Sequence, residues 1–172
     1  MSAHIWNGTA FKKVLRKAMW TGSAWKDIKS SHRWTGSAWE TIYSSFSAVG
    51  MTKNGDQQLS SGSVWTPITA WTADVNSTVT GNALRVNGSG NATIQVGSEW
   101  PTSTSVKDWR VLKNGTVVWT KGSGTGLTLA DTFALAVVDG DLLTCEAWNS
   151  SGVAGNRIVK TGANTYLRVV PA

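Results

Sequence analysis

The chain has 172 residues, 41% apolar and 15% charged, with a net charge of +6, eleven Trp and a single Cys. That is enough apolar material for one core plus an appendage, and it is spread too evenly along the chain for disorder. One cysteine excludes an intramolecular disulfide, no stretch approaches the ~18 apolar residues of a membrane helix, and the opening MSAHIWNGTAFKK lacks the apolar centre of a secretory signal, so we expect folding in a cytoplasm without membrane insertion.

The first 45 residues are a repeat. Trp6, Trp20 and Trp34 recur at 14-residue spacing, as do Phe11, Trp25 and Trp39, and Val14, Ile28 and Ile42. The units read IWNGTAFKKV, MWTGSAWKDI and RWTGSAWETI. In each, two aromatics flank a four-residue loop with Gly second, which predicts a β-hairpin with the aromatics paired across its strands. The apolar residue three positions later falls on the other strand face, so either a bulge rotates it back or both faces are covered. Phe11, Val14, Leu15, Ala18 and Met19 also follow helical spacing, but the equivalents Trp25, Ile28, Lys29, His32 and Arg33 lose it, and hairpins are the reading adopted. Hairpins this short bury too little surface to stand alone, so they must pack on one another, on the downstream domain or around a symmetry axis.

The basic character belongs to this arm. Lys12, Lys13, Arg16, Lys17, Lys26, Lys29 and Arg33 face Asp27 and Glu40 there, giving +5, whereas the remainder holds nine basic and eight acidic residues. Nucleic acid is one partner such a patch suits. The aromatics occupy hairpin-pair positions, however, so docking on an acidic protein surface is favoured over single-strand binding. Trp6, Phe11, Trp20, Trp25, Trp34 and Trp39, with Lys12, Lys13, Arg16 and Lys17, are the candidate interface residues.

From Phe46 onward, apolar-rich runs alternate with turns. Strands are predicted at 46–52, 63–71, 83–87, 92–98, 107–113, 116–121, 127–138, 141–148 and 165–170. Asn114–Gly115 inside WRVLKNGTVVW supplies the two positive-φ positions of a type I′ turn, and Asp139–Gly140–Asp141 marks another tight turn. About nine strands without a credible helix predict an all-β chain: repeat hairpins over 1–45, then an antiparallel jelly-roll β-sandwich over 46–172.

The serial order FSAVGMTKNG, ATIQVGSEW, VLKNGTVVW, FALAVVDGDLLTCEAW and NTYLRVV resembles the tumour-necrosis-factor-like jelly roll of complement globular heads. ATIQV is less aromatic than that family's central strand. WTGSAWK repeats ahead of TVTGNALRVNGSGNATIQV are similar to small minor tail proteins of actinobacterial tailed phages. These resemblances imply a virion component, commonly trimeric through the jelly roll, with tail or head placement left open.

Chemistry-bearing clusters are scarce. His4 and His32 both lie in the arm without a nucleophile–carboxylate motif, and Cys145 in LLTCEAW reads as a buried strand thiol. GSGTG at 122–126 lacks the Gly-Lys-Ser/Thr of a phosphate loop and reads as a flexible turn. Asp131, Asp139 and Asp141 fall short of a calcium shell, and nothing pairs Glu99, Asp108 and Glu146 as glycosidase carboxylates. The expectation is a non-enzymatic homotrimer without cofactor or metal, docking on other virion proteins. Capsid decoration is the alternative, and a host-glycan module using Trp65, Trp71, Trp100 and Trp119 is the rival from another class.

Overall fold

The computed structural model describes residues 4–13, 17–28, 30–60 and 64–172. Val14, Leu15, Arg16 and Lys29 lie outside the described residues, as do the side chains of Lys12 and Lys13. The backbone divides into two compact units, Met1–Phe46 and Ser47–Ala172.

The first unit holds three antiparallel hairpins: β1 (His4–Trp6) with β2 (Phe11–Lys13), β3 (Ala18–Trp20) with β4 (Trp25–Asp27), and β5 (Ser30–Trp34) with β6 (Trp39–Ser44). Their registers set Trp6 opposite Phe11, Trp20 opposite Trp25, and Trp34 opposite Trp39. The turns close by one backbone bond each, from the amides of Asn7, Thr21 and Thr35 to the carbonyls of Ala10, Ala24 and Ala38. Gly8, Gly22 and Gly36 sit at φ of 95°, 93° and 98°, which a side chain would strain. The residue before each glycine is polar for a reason. Asn7 Oδ1 accepts from the amides of Thr9 and Ala10, and the Thr35 hydroxyl bonds both the amide and the carbonyl of Ala38. A bulge between Ser31 and His32 breaks the third register. Where the helical alternative ran, Phe11–Lys13 and Ala18–Trp20 are strands.

The second unit contains β7 (Val49–Lys53), β8 (Gln57–Gln58), β9 (Thr66–Pro67), β10 (Trp71–Ala73), β11 (Thr78–Thr80), β12 (Ala83–Arg85), β13 (Gly90–Glu99), β14 (Lys107–Lys113), β15 (Thr116–Gly124), β16 (Thr128–Val137), β17 (Leu142–Asn149), β18 (Ile158–Val159) and β19 (Gly162–Pro171). One sheet runs β10-β7-β19-β13-β16; the other runs β11-β12-β17-β14-β15, with β9 on β17. All pairs are antiparallel, and β7 near the start of the domain lies against β19 at its end, Val49 opposite Val169. Strand alternation fills the jelly-roll core from both sheets: Met51, Ile94, Val96, Leu167 and Val169 from the first, Leu84, Val111, Leu143, Cys145 and Ala147 from the second. Trp100 and Trp109 are also buried.

Two expectations are corrected. Residues 63–71 are not one strand, because Pro67 lacks an amide donor and Ala70 stands at φ 54°. The segment instead gives β9 to one sheet and leads to β10 in the other. Nor is 122–126 a flexible turn throughout: residues 122–124 extend β15. A Cβ at Gly124 would meet the Leu129 side chain. The Asn114–Gly115 turn has φ of 50° and 82°, both positive as type I′ demands. Asn114 also ties that turn to the next strand, donating to Asp141 Oδ1 at 2.7 Å and accepting from the Leu142 amide at 2.9 Å.

Candidate functional site

The three hairpins present nearly superimposable aromatic pairs. Ring centroids are 5.2 Å apart for Trp6–Phe11, 5.7 Å for Trp20–Trp25 and 5.5 Å for Trp34–Trp39, with interplanar angles of 54°, 56° and 55°. This is the tilted packing that ring quadrupoles favour. Despite it, these six side chains stay between 52% and 71% exposed, since a short two-stranded ribbon cannot bury its own face. Met19 is opposite Lys26 in the register, one residue from the aromatic pair, so both project from the other strand face. Of the basic candidates, Lys12 and Lys13 pair through their backbone with Ile5 and His4. Lys17 is half-buried and its carbonyl accepts from the Ile28 amide at 2.7 Å. The structure thus groups the predicted aromatics in pairs, not in one cluster.

In the arm, His32 Nε2 lies 3.2 Å from Ser30 Oγ. Among the described residues no group of three His, Cys, Asp or Glu side chains is placed to hold a metal ion. The aspartates weighed as calcium ligands already serve protein donors. Asp141 accepts from the Val138 amide and Asn114, Asp139 from the Gly88 amide, and Asp131 from Lys121 and the Thr132 amide. Donors lower the Asp131 pKa, Lys121 foremost; they lower that of Asp141 against burial. Glu146 is engaged by Arg110, and Glu99 accepts from Asn164.

The four jelly-roll tryptophans weighed as a sugar platform each have a partner within the fold. Trp100 is buried and donates through Nε1 to Ser98 Oγ. Trp119 stacks on Phe133 at 5.0 Å with planes only 3° apart, and Trp71 donates to the Ile68 carbonyl. The Trp65 ring is covered by the Arg110 guanidinium at 4.4 Å. Trp100 is thus withdrawn from solvent, whereas Trp65, Trp71 and Trp119 are half-buried and each is engaged by a neighbour. Cys145 is fully buried, and desolvation pushes its thiol far above the ordinary range, so it is inert.

Two lysines lie in the interior, a feature composition alone does not signal. Lys107 Nζ donates to the carbonyls of Ser105 at 3.1 Å and of Thr125 and Gly126, each at 3.3 Å, with the Trp100 ring 6.0 Å away. Lys53 is 3% exposed, and its Nζ is buried with no hydrogen-bond acceptor. Burial lowers both pKa values; for Lys53 the nearby Asp56 charge opposes the shift. The period-two alternation of VGMTK carries the clue for Lys53, since it shares a face with Val49 and Met51.

Over 74% of its length the chain is similar to Eiger TNF from S. frugiperda, with TM-score 0.54, 17% identity and 92% of that chain covered. It is similar over the same share to murine APRIL in its pH 8.0 crystal structure, with TM-score 0.53, 12% identity and 99% of that chain covered. No family model and no curated protein matches the sequence. At such identities the likeness is one of fold, a TNF-like antiparallel jelly roll.

Proposed function

We propose that the chain is a non-enzymatic structural protein of a tailed-phage virion, a minor tail protein assembled as a trimer through its jelly roll and docked through its arm. The observation carrying this reading is the arm itself: three matching hairpins whose six aromatics stay more than half exposed, in a chain whose jelly-roll core is filled. Exposed aromatics of this kind are what interfaces consume. The WTGSAWK resemblance supports the virion setting, and the TNF-like fold suits a trimer. Three arms on one assembly would multiply a weak contact by avidity. Folding in the host cytoplasm and incorporation into the particle follow from the same reading.

Light scattering on the full chain tests the trimer, and antibody labelling of purified particles under the electron microscope tests the placement. A trimeric mass with label on the tail is expected. Label on the head shell would move the protein to capsid decoration, and a protein absent from particles would end the virion reading.

A further inference from the structure

We propose that the aromatic faces of the arm pack against the arms of the other copies, so that the arms fold together as one multi-chain β-stalk. The inference rests on the trimer reading above and names the partner of the aromatic face as a second copy of this chain.

Stability comes first. Each hairpin is a separate two-stranded sheet, and the first two have strands of three residues. Ribbons of that size are marginal in water, so their apolar face needs a cover. The area is sufficient: six aromatics that bury about 150–250 Å² each when covered, and are now more than half exposed, offer on the order of 700 Å² per chain, close to one side of a standard interface.

The segregation of charge then selects the cover. Trp20 and Trp25 share a face with Ala18, whereas Met19 and Lys26 stand on the other. Arg33, next to Trp34, alternates in the same way. A nucleic acid or an acidic glycan needs several cations beside the ring faces, and in the second and third hairpins Lys26 and Arg33 stand at register positions off the aromatic face. The aromatic face fits an apolar partner, while the basic face remains outward for an acidic virion surface.

The period then identifies that partner. The three pairs repeat at 14 residues with centroid distances of 5.2–5.7 Å and angles of 54–56°. A cover that suits one pair therefore suits all three. Another copy of the arm does so by construction, and it is present whenever the chain is.

The test uses the full-length chain with a single added thiol, either Ala18→Cys on the aromatic face or Met19→Cys on the opposite one. Both positions are exposed, and the native Cys145 is buried. Mass is read by light scattering and inter-chain covalent pairs by reaction with a short bis-maleimide at high dilution. The expected result is a trimer in which Ala18→Cys links copies and Met19→Cys does not. A trimer in which neither links, or both link equally, overturns the stalk and leaves the trimer standing. A monomer overturns both readings. Hydrogen exchange on the unsubstituted trimer gives a second measurement: slow exchange at the Thr21 and Thr35 amides is expected, and exchange at unfolded-chain rates overturns the proposal.

Discussion

Lys53 and Lys107 are both interior ammonium groups, in opposite circumstances. Three carbonyls surround Lys107, whereas the Lys53 ammonium has no acceptor. An unmet buried donor costs about 1–3 kcal/mol, so Lys53→Met is expected to raise stability by that order in urea unfolding at neutral pH. Lys107→Met leaves three carbonyls without their donor and is expected to lower stability by about 1–3 kcal/mol. The pH dependence has a definite sign. Burial lowers both lysines below the usual 10.5, so between the folded value and 10.5 the unfolded chain holds more protons and stability rises with pH. The penalty is fully present below the folded value. The advantage of Lys53→Met over wild type therefore shrinks as pH climbs toward 10.5, and an advantage that grew with pH would refute this account. Gly97 makes a third residue-scale case: a Cβ there would lie 2.5 Å from Tyr166 Cε1 and 2.7 Å from the Asn164 carbonyl. Gly97→Ala is expected to cost about 1–3 kcal/mol by overpacking, read as a lowered midpoint of thermal unfolding.

At the scale of elements, the hairpin turns combine one positive-φ glycine with one side-chain clasp. Thr35→Val removes the two hydroxyl contacts to Ala38 without changing side-chain shape. It is expected to weaken the exciton couplet of the Trp34–Trp39 pair in circular dichroism while the jelly-roll signal stays unchanged. The legibility of elements in the sequence follows from the same physics. Lys107–Lys113 and the Asn114–Gly115 turn were readable because alternation and positive-φ chemistry are local properties. The aromatic pairing was readable because the 14-residue repeat fixes it three times over. The two-residue strands Gln57–Gln58 and Ile158–Val159 were not, since they exist only by pairing with each other across the domain. Thr78–Thr80 was missed because a three-residue edge strand with a single apolar residue, Val79, carries no apolar run. The fate of the jelly-roll tryptophans was likewise hidden, because Trp119 meets Phe133 and Trp65 meets Arg110 only in the fold.

For the whole molecule, two compact units with unequal cores are expected to melt separately. The arm's exciton signal is expected to fade below the temperature at which the jelly roll unfolds, and the proposed trimer predicts that this upper midpoint rises with protein concentration. One coincident, concentration-independent transition would contradict both statements. The pairing of β7 with β19 has a consequence for synthesis. Val49 finds its partner Val169 only after some 120 intervening residues exist. The first sheet is therefore incomplete until β19 has been synthesised, and such long-range closure is slow, on the order of milliseconds to seconds. During that interval the arm has left the ribosome with its indoles uncovered, and its surplus of lysine and arginine disfavours association of nascent chains by mutual repulsion.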